Sequence, residues 1–379
     1  MSFTKTVAIR VLTDTWPNTA VPPALAALQN ARRYSIDVLA CIAFTALWTR
    51  PPVRYGFSLA DCWAWLRYLP SIDFGADLRL REEWTSLDPH QKTVLSGDFG
   101  VGFGTWFLNR TLGLVRFSDT LWVVNTLLPG AFHLEPGKKR GPAKSPDYIA
   151  EDANGNFSVV ECKGTQTSRQ SLRDAMQRGI PQKDNLRAIG ATPIQHSLVV
   201  GLFVPQFENS ERPVIMVADP EWSDLKDRLT SFSPEQIGRG VSQVAYAKEL
   251  AMFDLPNTAN SLVGVKGSSE SVAAAFSVDA DTPSRGRTID GSTVRFRQEY
   301  TWSTPARVAE TLRIRGVRFE GTLAEDSVAA LREVIKPEEH GIRERDGSRR
   351  RDWDVREQET SVALTSPLGT RFRLSLLEA

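Results

Sequence analysis

Asp147, Glu161 and Lys163 are the residues of this chain whose types and spacing could do chemistry. They fall in Ser145 to Thr165, SPDYIAEDANGNFSVVECKGT, which reads as two strands joined by a turn. Side chains in a strand switch faces at every residue, so Glu161 and Lys163 project from one side and Cys162 from the other. An acid and an ammonium therefore share a site, to which Cys162 offers only its backbone carbonyl. Two carboxylates with backbone oxygen and water make a hard, oxygen-rich environment that suits Mg²⁺ or Mn²⁺. Such an ion could polarise a phosphodiester and lower the pKa of a water, while Lys163 steadies the developing charge. The competing reading of the same residues is a solvated edge hairpin with cross-strand ion pairs.

The turn between the two halves is a test of register. Asn154-Gly155 is a hairpin signal, yet a two-residue loop there would pair Asp147 with Cys162 and put the first carboxylate on the wrong face. Pairing Asp147 with Glu161 requires an odd loop, such as Ala153 to Gly155 with Gly155 left-handed, or else a splayed first strand. The chain holds no other E-x-K and no other Pro-Asp. A near match at Asp224 to Lys226 lies in the polar run EWSDLKDRLT and reads as a helix surface.

With Pro146 and Asp147 as first half and Glu161, Cys162 and Lys163 as second, the segment resembles the signature of the PD-(D/E)XK nuclease superfamily. The resemblance implies an α/β, restriction-endonuclease-like core, a central mixed sheet flanked by helices in the order helix, strand, hairpin, helix, strand. It implies a metal-dependent nuclease cutting DNA in preference to RNA, with Asp147 and Glu161 holding Mg²⁺ or Mn²⁺ and Lys163 assisting the attacking water. Asp98 matches the place of an acid on the first core helix and is a candidate third metal ligand, or simply an Asp favoured by the helix macrodipole. Gln177 lies where some exonuclease-like relatives orient the site with a glutamine, or is an ordinary polar helix position. By fold-level analogy such a chain serves defence against phage or foreign DNA, or repair, alone, as a homo-oligomer or with a partner ATPase or helicase. The alternatives are a non-catalytic nucleic-acid-binding or scaffold subunit of the same fold, and an RNase using the same site.

Elements able to position these residues surround them. Leu95, Phe99, Gly102, Phe103, Trp106 and Phe107 recur at helical spacing, and Gly97, Gly100, Gly102 and Gly104 among them suggest close backbone packing. FGVGFG there precedes no ribose-binding acid and follows no strand, so it reads as packing rather than a nucleotide loop. After the motif, RQSLRDAMQRGIPQKDNLRAIG reads as a helix with Leu172, Ala175, Met176 and Gly179 inward and a restart at Pro181, and SLVVGLFVP as a buried strand. His90, His133, His196 and His340 show no metal spacing, and neither a Walker loop nor G-x-S-x-G is present.

The charge balance, 46 Lys plus Arg against 45 Asp plus Glu, excludes a uniformly basic coat. Nucleic acid must then be held by local clusters. The first is Lys138, Lys139, Arg140 and Lys144 in the loop entering the Asp147 strand, with Arg169, Arg173 and Arg178 beyond it. The arginines from Arg343 to Arg351 alternate with acids and read as an exposed hairpin of mixed ion pairs. Cys41, Cys62 and Cys162 neither pair evenly nor show zinc spacing, the N-terminus lacks an apolar signal region, and Ile36 to Trp48 is too short to span a bilayer. These features fit a cytoplasmic protein without membrane contact.

Four regions follow: a helical, Trp-rich N-terminal region over 1–86, the nuclease core over 87–230 ending in PVIMVAD, a helix and flexible connector over 231–291, and a small α+β module over 292–379. In the last, TVRFRQEYTW, RGVRFEGTL, SVALT and TRFRLSLLE read as strands and AEDSVAALREVI as a helix.

Overall fold

A computed structural model of the chain describes residues 3–16, 21–53, 68–127, 132–134, 145–183, 186–188, 194–219, 234–264, 271–291, 293–307, 312–323, 352–358 and 360–379. In its first two thirds the strands are β1 (Thr4–Val11), β2 (Tyr34–Asp37), β3 (Leu114–Asp119), β4 (Phe132–Leu134), β5 (Tyr148–Asp152), β6 (Phe157–Thr165), β7 (Leu186–Ala188), β8 (Ile194–Phe203) and β9 (Val214–Ala218). The remainder holds β10 (Arg287–Asp290), β11 (Thr293–Arg307), β12 (Arg313–Leu323), β13 (Asp354–Gln358), β14 (Ser361–Thr365) and β15 (Arg371–Glu378). The longer helices are α1 (Val38–Trp48), α2 (Pro89–Leu112), α3 (Arg169–Lys183), α4 (Pro234–Met252), α5 (Pro256–Leu262) and α6 (Val272–Asp281).

A seven-stranded mixed sheet runs in the order β2-β1-β9-β8-β6-β5-β3. Within it β3, β5 and β6 form an antiparallel meander and β8 lies parallel to β6, with α3 as the crossover. A second, six-stranded antiparallel sheet has the order β10-β11-β12-β15-β14-β13, and β4 and β7 pair apart from both. No described helix is long and apolar enough to cross a membrane.

Local chemistry accounts for the helix that underlies the motif. Asp88 caps α2 by accepting the His90 and Gln91 N–H groups at 2.9 and 3.1 Å, Pro89 occupies its first turn, and Gly113 ends it at φ +63°. Leu95, Phe99, Phe103, Trp106 and Phe107 are all buried. The expected close packing is present at Gly100, where a Cβ would lie 2.6 Å from the Lys163 carbonyl carbon and 2.7 Å from its oxygen.

The sheet's two faces carry separate apolar layers. The larger includes α1, α2, α4 and the inner side of the second sheet. The smaller joins Leu172 and Met176 of α3 to Val199, Phe203, Val214 and Met216. Burial of such a side chain contributes about 1.5–3 kcal/mol, enough to seat α3 firmly.

Two expectations need correction. Among the described residues of the N-terminal region, helix is confined to α1 and short turns, and β1 and β2 complete the main sheet, β1 pairing in parallel with β9. Its alternating burial fits a strand, but the partner lies some two hundred residues away, beyond any local pattern. The supposed connector contains α6 and β10, because Ser271 caps an Ala-rich turn whose Val272 and Ala275 are buried. The C-terminal sheet packs on the rest of the described chain. Trp353 donates its indole N–H to Val115 O at 2.8 Å, Phe372 packs on Phe253, and Ser366 donates to Glu249 at 2.8 Å. The helix expected around AEDSVAALREVI and the hairpin of Arg343 to Arg351 lie outside the described residues, as do Cys62, Trp63 and Trp65.

Candidate active site

The hairpin brings Asp147, Glu161 and Lys163 together. Tyr148 pairs with Val160 and Glu151 with Phe157, a register that continues to place Asp147 opposite Glu161. The loop is odd: Asp152 N–H bonds Asn156 O at 2.9 Å, and Gly155 has φ +84°. Asp147 Oδ2 accepts the Cys162 N–H at 2.8 Å, and Glu161 Oε2 accepts the Asp147 N–H at 3.1 Å. Lys163 Nζ pairs with Glu161 Oε1. Cys162 turns to the opposite face, toward Gly104 of α2.

Helix α3 roofs the pair. Gly179 faces it, a Cβ there lying 3.0 Å from Lys163 Cε and 3.1 Å from Glu161 Cγ. Gln177, two residues earlier, is about 200° round the helix from Gly179 and is exposed. The fold therefore turns Gln177 away from the cluster. Asp98 accepts the hydroxyl of buried Tyr68, and its charge, with those of Asp119 and Asp147, raises the Tyr148 phenol pKa further above what burial alone produces. Among the described residues no three His, Cys, Asp or Glu side chains form a ready metal cage. Lys138, Lys139, Arg140 and Lys144 lie outside the described residues.

Electrostatics set the acids apart from surface carboxylates. Glu161 is 1% exposed, and burial followed by the Asp147 charge pushes its carboxyl up to about 7 despite Lys163. Asp147 is exposed as a residue, but its carboxylate turns inward to Cys162, and burial there raises its pKa, with the Cys162 N–H and Lys163 opposing. Proton affinity follows the environment of the oxygens, so the burial of the carboxylate decides.

A stability consequence follows for the metal-free protein. Glu161 holds its proton in the folded state up to about pH 7 and releases it near 4.5 when unfolded, so the folded state binds more protons between those values. Stability is then expected to fall as pH rises from 4.5 through 7, by on the order of 2–3 kcal/mol from this group. Urea unfolding in EDTA at the two ends of that window should show the loss in the wild type and a smaller one in Glu161→Gln.

Residues outside the motif complete the setting. Lys248 of α4 has no exposed side-chain surface. Its Nζ lies 2.6 Å from Asp119 Oδ2, donates to Trp48 O at 2.8 Å and sits 5.2 Å from the Tyr148 ring centre. The Asp119 contact is an ion pair rather than an aligned hydrogen bond. Burial lowers the Lys248 pKa, opposed by Asp119. Asp119 pairs with Tyr148 across β3 and β5, and the adjacent Thr120 N–H bonds Asp147 O at 3.2 Å. The available signal was a lysine continuing the buried stripe of Val241 and Val244 at helical spacing. Lys248→Met is expected to cost about 3 kcal/mol, the lower end for a broken buried pair because Asp119 keeps a third of its surface in water. Adding Asp119→Asn should recover most of it in chemical denaturation.

Comparison with known proteins finds no matching family model, no matching curated protein and no matching solved structure.

Proposed function

We propose that the chain is a Mg²⁺- or Mn²⁺-dependent nuclease of restriction-endonuclease-like fold, acting on DNA in preference to RNA. The observation that carries the reading is the register placing Asp147 opposite Glu161, with Lys163 two residues on and the Glu161 carboxylate in its reach. The order of α2, β3, the β5-β6 hairpin, α3 and β8 is the one the resemblance implies.

The donor set fits a divalent ion. Two coupled carboxyls with raised proton affinity are relieved by a cation, and both offer hard oxygen ligands. Asp147 and Glu161 would hold it, with the Cys162 carbonyl a further oxygen donor. When bound, the ion supplies Lewis acidity toward a phosphodiester oxygen and charge for the in-line displacement. Lys163 holds Glu161 in place and presents an ammonium beside the reacting phosphate, where negative charge develops. The Cys162 N–H fixes the orientation of Asp147, and α3 shields the buried Glu161 from water.

The test is cleavage of supercoiled plasmid, linear duplex, single-stranded DNA and matched RNA in Mg²⁺, in Mn²⁺ and in EDTA. Metal-dependent cutting with DNA preferred is the expected result. Cutting of RNA alone would move the substrate class. No cutting, with no metal uptake in a calorimetric titration, would overturn the reading in favour of a scaffold subunit.

A further inference from the structure

The second sheet turns one face onto the core and the other to solvent, and the two differ in kind. Val294, Phe296, Val317, Phe319, Phe372 and Leu374 are buried inward. Strand alternation puts Arg295, Arg297, Arg318, Arg356, Arg371 and Arg373 on the outer face, all exposed except the half-buried Arg318. Every lysine or arginine in these six strands is an arginine.

Register makes a lattice of them. Arg295 pairs with Thr322, which pairs with Arg371. One row over, Arg297 pairs with Glu320, Glu320 with Arg373, Arg373 with Ala363, and Ala363 with Arg356. With strands about 4.8 Å apart and same-face neighbours about 6.8 Å apart, Arg295, Arg297, Arg371 and Arg373 mark a rectangle of roughly 10 by 7 Å. Of the acids on this face, Glu299 bonds Arg297 at 2.9 Å and Arg318 at 2.7 Å, Asp354 lies 3.1 Å from Arg356, Glu320 lies 3.7 Å from Arg297, and Asp290 stands exposed on the edge strand β10. Arg295 and Arg371 have no ion pair to a described residue.

We propose that this outer face binds the phosphate backbone of nucleic acid, at a surface distinct from the Asp147, Glu161 and Lys163 site. Guanidinium forks match phosphate oxygens two at a time, which ammonium groups do not. The remaining outward positions, among them Thr301, Thr322, Ala363, Thr365 and Ser375, are short, so a polyanion can reach the arginines. None of the described side chains on this face is aromatic, which leaves no platform for base stacking among them and favours a contact with backbone rather than sequence. The same lack of exposed apolar side chains argues against a membrane, which needs something to insert, and against a protein partner, whose interface would have an apolar centre. This face would add to the clusters expected to hold nucleic acid beside the motif, chiefly Lys138, Lys139, Arg140 and Lys144 with Arg169, Arg173 and Arg178.

The test is fluorescence anisotropy of a short labelled duplex in EDTA, where nothing is cut, using the wild type and the combined variant Arg295→Ser, Arg371→Ser, Arg373→Ser. The variant is expected to bind at least about tenfold more weakly near 0.1 M salt, with a log–log salt slope shallower by about 2 to 3. The three positions are exposed, so an unchanged melting curve should accompany the loss. The corresponding triple lysine variant should keep the slope and lose only part of the affinity. Wild-type affinity and slope in the serine variant, no duplex binding by the wild type, or binding confined to anionic vesicles would each overturn the proposal. Because the readout needs no catalysis, absence of nuclease activity leaves the test standing, and a failed binding test leaves any cleavage unexplained by this face but intact.

Discussion

Lys163→Ala is expected to lower metal-dependent DNA cleavage by a factor on the order of 10² to 10³, the usual cost of deleting one group that stabilises developing charge. Two effects combine. The ammonium that would face the phosphate is gone, and Glu161 loses its ion-pair partner inside a nearly water-free setting. The second effect pushes the Glu161 carboxyl higher still, so protons compete harder with the metal ion. Residual cleavage by the variant should therefore need a higher pH and more Mg²⁺ to reach half its maximum, a signature that simple loss of fold would not give. Lys163→Arg should not restore activity, because Gly179 leaves no room: even a Cβ there would stand 3.0 Å from Lys163 Cε, and a guanidinium is wider than an ammonium. Initial rates across pH and metal concentration measure all of this. Wild-type rates in Lys163→Ala would remove Lys163 from the mechanism.

What was legible in the sequence was what is local. The E-x-K strand, its Pro-Asp partner and the Gly155 loop are within twenty residues of one another, and face alternation forces an odd loop if the carboxylates are to meet. The loop has that form. The glycines of α2 were legible as packing because no other use suited them, although only contact geometry separates Gly100, pressed on Lys163, from Gly97, which faces open space. Pairings far apart in sequence left no local trace. β1 reads as an unremarkable alternating segment until β9 arrives beside it, and Lys248 is a lone charge in an apolar stripe until Asp119 is placed against it. Gln177 was placed by its distance from Lys163, but Gly179 is the residue that faces the cluster, and two positions on a helix are slightly more than half a turn. The arginine lattice required strand order as well as alternation, since Arg295 and Arg371 meet only through β12.

Gly164→Ala is the substitution expected to damage the fold and the site together. Its Cβ would lie 2.6 Å from the Ser96 carbonyl carbon and closer still to the Ser96 oxygen, with Gly100 N at 3.2 Å. These are backbone atoms of α2, so no side chain can turn aside, and either the helix or β6 must retreat. The helix is held by the buried ring of Phe99 and by the Gln166 amide, which bonds Lys92 O at 2.7 Å and Ser96 Oγ at 3.0 Å. Much of the displacement therefore falls on β6, at the residue after Lys163. The cost should reach about 3 kcal/mol, the upper range for an overpacked interior. Cleavage by the fraction that remains folded should fall about 10²-fold, since a shift near 1 Å in a catalytic group has that effect. Gly97→Ala on the same helix is the control. Nothing lies within 4 Å of its Cβ position, so it should stabilise by up to about 1 kcal/mol through helix propensity and leave the rate unchanged. Urea denaturation gives the two stabilities and cleavage at matched folded concentration gives the rates. Equal behaviour of the two variants would mean that α2 and β6 do not meet backbone to backbone beside Lys163.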